Sequence, residues 1–186
     1  MMFALVLLGC SALVAACAAT AAGTCRPELA ASTPAGRFQV KGDVVTDTQT
    51  KLMWMRCAVG QRWAGASCTG DPDAMTWTDA RSAVDDVNLD SYGGYDDWRL
   101  PKLPELASIV ERQCFNPRVN EAVFPGAPSV VFWSSMEKPG TRTVAYALDF
   151  GGGAVSTLSK DLRGAVRLVR GAPWWTPPPS AQAKVP

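Results

Sequence analysis

Apolar positions along this chain change period several times, and each change marks an element. The run Arg37-Phe-Gln-Val-Lys-Gly-Asp-Val-Val-Thr-Asp47 alternates apolar and polar residues around Lys41-Gly42-Asp43. That pattern predicts a β-hairpin, and Leu52-Met-Trp-Met-Arg-Cys57 reads as the strand after it. From Thr78 the spacing lengthens, with Ala80, Val84, Val87 and Leu89 near helical intervals. An amphipathic helix is expected there, capped by Thr76 or Thr78, carrying Asp79 in its first turn and ending near Asn88. After a turn at Ser91–Asp97, a second helix is expected from Pro104 to Arg112, with Leu106, Ile109 and Val110 on one face. Pro104 falls in its first turn, where a missing amide hydrogen costs nothing. The second half reads as strands over residues 129–135, 143–150, 154–158 and 165–170, which predict a small antiparallel sheet. Strands, two helices, then strands again make the fold class α+β.

The two ends follow other patterns. Residues 1–24 carry no charged side chain, and Phe3–Ala16 is almost wholly apolar yet too short for a comfortable membrane span, so a signal segment for export is expected. Val14-Ala-Ala-Cys17 is the pattern that lipoprotein signal peptidase reads, which makes Cys17 a candidate lipid anchor, the route by which the protein would meet a membrane. Cleavage within Ala18–Gly23, with soluble export to the periplasm or the medium, is the alternative. Residues 172–186 are too rich in proline for a helix or central strand and are expected to be a disordered or extended tail. Residues 25–171 remain as one domain.

Cysteine usage agrees with export. Of six cysteines, Cys10 and Cys17 fall in the signal segment, leaving Cys25, Cys57, Cys68 and Cys114. Four cysteines allow three pairings. The short spacing favours Cys57 with Cys68, and elimination leaves Cys25 with Cys114. A zinc site is not expected, since the chain has no Cys-x-x-Cys pair and no histidine. Without histidine, Ser-His-Asp and Cys-His catalysis are excluded, and the chain is read as a non-enzyme without cofactor. A formal net charge of +1, from 18 basic and 17 acidic residues, gives no global field for nucleic acid.

Local chemistry is left. Lys138, Arg142, Lys160 and Arg163 fall in loops between the C-terminal strands, where they would converge into an anion patch or simply scatter as solubilising charges. Trp63, in the glycine-punctuated loop between Cys57 and Cys68, is the ring expected to be exposed for stacking on sugars, while Trp98 and Trp133 are expected in the core. The acidic pairs Asp85-Asp86 and Asp96-Asp97 read as a solvated helix face and a turn rather than cation ligands. Arg99, Arg167 and Arg170 are expected to be buried partners of carboxylates.

One ordered set of short motifs carries a resemblance: Val45-Thr-Asp-Thr, Leu52-Met-Trp, Arg56-Cys57, Cys68-Thr-Gly, Asp97-Trp-Arg-Leu-Pro101, Glu105-Leu, Asn116-Pro, Phe124-Pro, Phe132-Trp-Ser-Ser135 and Val166-Arg-Leu-Val-Arg-Gly171. Over residues 36–171 the chain resembles the Lcl C-terminal domain family, named for the end domain of a bacterial collagen-like adhesin. Trp98-Arg-Leu-Pro101 and Val166-Arg-Leu-Val-Arg170 are also similar to marks of formylglycine-generating-enzyme-like domains. That likeness implies a C-type-lectin-like fold, two helices and a twisted antiparallel sheet with the termini close together, which the cysteine reading would staple with disulfides. The namesake domain binds sulfated glycosaminoglycans, so the resemblance implies an adhesin-like module of the cell envelope that recognises carbohydrate or sulfated polysaccharide. The alternative is a protein-interaction or structural module of a surface assembly with an envelope protein as partner. A formylglycine-type oxidase would need free cysteines, and here they are expected to be paired. This chain departs from the family pattern at Lys41-Gly-Asp-Val-Val, which weakens a calcium loop there, and at Lys102-Leu103, where relatives carry threonine.

Overall fold

The Lys41-Gly42-Asp43 signal does close a hairpin. Lys41 faces Val44 across a two-residue loop, and Gly42 takes φ +59°, a value that favours glycine. The structure, a computed structural model, describes residues 23–173. The candidate anchor Cys17, nearly all of the expected signal segment and the tail from residue 174 lie outside the described residues.

Hairpin strands β2 (Phe38–Lys41) and β3 (Val44–Asp47) join β4 (Met53–Met55), and β11 (Val169–Arg170) pairs with the far side of β4. A second sheet runs β10-β9-β8, from β8 (Val131–Glu137), β9 (Val144–Asp149) and β10 (Val155–Ser159). Two ribbons complete the strands: β1 (Thr24–Cys25) with β7 (Cys114–Phe115), and β5 (Arg62–Trp63) with β6 (Cys68–Thr69). Thr24, expected to be the last residue of the signal segment, is thus part of the domain.

The sequence expectation of one C-terminal sheet needs correction. The run Gly164–Val169 is buried throughout, and it passes from one sheet to the other. Trp133 N–H donates to Ala165 O at its start, and Met55 N–H donates to Leu168 O near its end. Only Val169–Arg170 forms a strand, and it joins the first sheet.

Both faces of the first sheet are covered, so its residues serve two cores in alternation. Val45 and Trp54 pack with Leu106, Ile109, Phe124 and Phe132, whereas Val44 and Met55 pack with Trp77, Trp98, Trp133 and Leu168. The second sheet alternates likewise, with Phe132 in the first core and Trp133 in the second.

The first helix, α1, spans Trp77–Leu89, one residue earlier than Thr78, because Thr76 is the cap and its Oγ1 accepts from Asp79 N–H at 3.2 Å. Leu89, placed by periodicity on the apolar face, is 82% exposed. The second helix, α2, covers only Leu103–Ser108. It stops short of Arg112 because the Ser108 hydroxyl bonds back to Glu105 O at 2.6 Å, and Glu111 N–H turns to Arg118 O at 2.9 Å. Both expected disulfides are present, Cys25–Cys114 and Cys57–Cys68.

Buried charges fasten these pieces. Asp47, fully buried, is gripped by Arg37, and Glu105, also fully buried, takes a bidentate pair from Arg99 at 2.7 and 2.8 Å. Arg170 does find a carboxylate, Asp97, but the pair lies at the surface rather than buried as expected, with Asp97 exposed. Arg167 does not find a carboxylate, and this corrects the expectation. Its Nη1 donates to the carbonyls of Met55, at 2.9 Å, and Arg56, and the guanidinium lies 4.9 and 5.7 Å from the rings of Phe124 and Phe132. Its Nε and Nη2 are buried and have no hydrogen-bond partner among the described residues. The side chain leaves a segment covered on all sides, so rings and carbonyls rather than an acid surround the charge.

Candidate functional site

A cleft of about 850 Å³ opens between α1 and the end of β8. Its floor is set by Trp77, which begins α1 because Thr76 caps the helix one residue before it. The indole N–H of Trp77 donates to Ser134 O at 2.9 Å, which fixes the ring against β8. Two cations lie against that ring. Arg81 follows one helical turn later, with its guanidinium 5.2 Å from the centroid, and the Lys160 ammonium lies at 4.1 Å. Lys160 is steered there by Glu137, at 2.8 Å. The opposite wall carries Arg99, Leu100 and Lys102, with Arg99 aimed by its fork on buried Glu105. Asp85 and Glu137 are the acids in the lining.

Three of the four predicted basic residues come to the same end of the second sheet. Lys138 N–H bonds to Val144 O at 3.1 Å and Lys160 N–H to Thr143 O at 2.8 Å, so Lys138, Arg142 and Lys160 share the β8–β9 hairpin end. Lys138 and Arg142 are exposed. Arg163 lies beyond the turn after β10, with Nη1 on Ala74 O at 2.8 Å, next to the segment that leads into α1. Trp63 belongs elsewhere. It lies on the disulfide-bound ribbon, outside the cleft lining, half-buried, with the Arg56 guanidinium 4.3 Å from its ring. It is the least buried of the described tryptophans, with Arg56 packed against its ring.

Sequence reasoning missed the cleft residues Trp77, Arg81, Arg99 and Lys102 as one group. The spacing of Trp77 and Arg81 on a capped helix was the legible signal; their meeting with Arg99 and Lys102 depends on how the helix packs on β8.

A second cleft, of about 650 Å³, lies at the other end of α2. Ser32, Gln49 and Thr50 line one side, and Ser108, Val110 and Arg112 the other.

The perturbed acids serve structure. Burial would raise Asp47, but hydrogen bonds from Arg37, Thr50 and Gln49 outweigh it and hold the carboxyl below its ordinary range. Glu111 is likewise opposed by burial, yet the amides of Ser32, Thr33 and Gln113 bring it down to about 2. Asp97 is lowered chiefly by its hydrogen bonds from Arg170, which answers what that half of the Asp96-Asp97 pair does. Among bases, burial pulls Arg167 down to about 9. Among the described residues no three acids or cysteines assemble into a metal site.

Compared with known protein families, residues 43–170 match the profile of the Lcl C-terminal domain. The chain belongs to the Lcl C-terminal domain family. A search of curated proteins found no match. This Lcl C-terminal domain is an α+β fold stapled by two disulfides, which fits an exported protein, and among its described residues no helix is long and apolar enough to cross a membrane.

Proposed function

We propose that this domain is an exported, adhesin-like binding module that takes a sulfated or otherwise anionic polysaccharide in the α1–β8 cleft and on the adjoining β8–β9 hairpin end. The observation that carries this reading is that Arg81, Arg99 and Lys102 line one cleft, with Lys160 packed on the Trp77 ring beside it. A sugar chain with spaced anions needs cations fixed at matching intervals. Lys138 and Arg142 continue the basic surface on the hairpin, and Arg163 flanks it. The C-type-lectin-like reading of the fold is supported by two helices, short antiparallel sheets and disulfide-held ribbons. The family resemblance and the oxidised cysteines support service in the periplasm, at the surface or in the medium. Val14-Ala-Ala-Cys17 supports a lipid anchor as the way it is held there.

The test is a glycan array containing heparin and other sulfated polymers, followed by titration at rising salt. Binding should weaken steeply with ionic strength. The Arg81→Ala, Lys160→Ala double variant should lose two charge-assisted contacts of on the order of 1.5 kcal/mol each, about tenfold per contact. Arg142→Ala with Arg163→Ala should weaken binding less. Failure of every sulfated polymer to bind would reject this reading in favour of a protein-interaction module, and a pull-down from envelope extract would follow.

A further inference from the structure

The two clefts are joined by α2. Arg99 and Lys102 line the first cleft just before the helix begins at Leu103, and Ser108, Val110 and Arg112 line the second just after it. Six helical residues rise about 9 Å at ~1.5 Å each, so the cleft walls that flank α2 are a few sugar rings apart.

The second cleft differs in chemistry from the first. Its charges nearly cancel: Arg37 is spent on Asp47, and the buried Glu111 lies beneath Ser32 and Thr33. Its hydroxyls are also oriented. Thr50 gives its proton to Asp47 at 2.7 Å while accepting from Leu52 N–H at 3.4 Å, and Ser108 gives its proton to Glu105 O at 2.6 Å, which leaves at least one oxygen lone pair on each as an acceptor. The exposed Gln49 amide adds a donor and an acceptor. At the rim, Arg112 is exposed and its guanidinium pairs with no carboxylate among the described residues. Oriented hydroxyl acceptors suit the hydroxyl donors of an uncharged sugar face, and one unpaired guanidinium at the rim suits a single sulfate or carboxylate on that sugar.

We infer that the second cleft is a further sugar subsite, on the far side of α2 from the first, so that the domain recognises a run of at least about four sugars whose distal acidic group binds Arg112. This inference rests on the polysaccharide reading above, and it adds the length of the ligand and the residue that reads its far end.

The test is calorimetric titration of the mature protein with size-fractionated chondroitin sulfate di-, tetra-, hexa- and octasaccharides, which carry one sulfate per disaccharide. The same series is run on Arg112→Ala and on Arg62→Ala, an exposed arginine of β5 that removes the same charge away from both clefts. The octasaccharide should bind the native protein at least ~10-fold tighter than the disaccharide, because filling the second cleft becomes intramolecular once the first is filled. Arg112→Ala should abolish that gain while leaving disaccharide affinity unchanged, and Arg62→Ala should keep it. A length gain that survives in Arg112→Ala, or one lost equally in Arg62→Ala, overturns the second subsite while the first stands. Absence of binding by the native protein to the octasaccharide and to polymeric heparin overturns both readings.

Discussion

Glu111 offers the sharpest check on how the fold is held. Its carboxylate is 2% exposed and accepts from the amides of Ser32 (2.9 Å), Thr33 (2.8 Å) and Gln113 (3.1 Å) and from the hydroxyls of Ser32 (3.0 Å) and Thr33 (2.9 Å). It thereby ties the N-terminal segment to the turn that follows α2. Glu111→Gln keeps one acceptor oxygen but turns an amide NH₂ toward groups that are themselves donors. The carboxyl is held down from 4.5 to about 2, which at ~1.4 kcal/mol per unit corresponds to ~3 kcal/mol of preference for the carboxylate. Solvent at the rim, where Ser32 is half-exposed, brings the expected loss to about 2 kcal/mol. For a domain of this size that lowers Tm by roughly 4–8 °C. Because the folded pKa is depressed, the stabilisation is fully present above the ordinary pKa of 4.5 and is lost as pH falls through about 2. Urea unfolding at about pH 7, 5, 3.5 and 2.5 should show a constant gap between native protein and variant at the two higher values, narrowing at the lower two. A gap below ~0.5 kcal/mol at neutral pH, or one that stays constant down to about pH 2.5, would refute the reasoning.

Two further predictions concern the core and the staples. Arg167→Met replaces a buried guanidinium, bonded only to carbonyls and faced by Phe124 and Phe132, with an apolar chain of similar reach, so urea unfolding should show stability unchanged or raised by about 1–2 kcal/mol. Arg167→Ala should instead cost on the order of 3 kcal/mol through the cavity it leaves. If the methionine variant loses more than ~2 kcal/mol, the carbonyl and ring contacts outweigh desolvation and the account is wrong. Removing Cys25–Cys114, which closes an 89-residue separation, should cost about 4–5 kcal/mol, against about 3 for Cys57–Cys68 with a separation of 11, as read from urea melts of the paired Cys→Ser variants. A tryptic peptide joining Cys57 to Cys114 under nonreducing conditions would contradict the pairing itself.

Much of this architecture was legible in local chemistry. Alternation and Lys41-Gly42-Asp43 marked the hairpin, Thr76 and the helical spacing marked α1, and the short interval between Cys57 and Cys68 marked the first disulfide. Each depends on residues within a few positions of one another, so the sequence alone carries the physics. The motif series from Val45 to Gly171 likewise pointed to the Lcl C-terminal domain family, which the profile match over residues 43–170 bears out.

What remained hidden depended on distant packing. The sequence determined that 165–170 would be apolar and extended, but only the fold decided that Gly164–Val169 passes between two sheets and leaves Arg167 among rings and carbonyls. Trp77, Arg81, Lys160, Arg99 and Lys102 come from α1, the end of β10 and the approach to α2, and no spacing along the chain announces that they meet. Trp63 was readable as a loop aromatic, but the packing of Arg56, from the end of β4, on its ring was not. Local propensity and cysteine spacing are properties of neighbours in the chain, whereas a cleft is made by side chains that only tertiary packing makes neighbours.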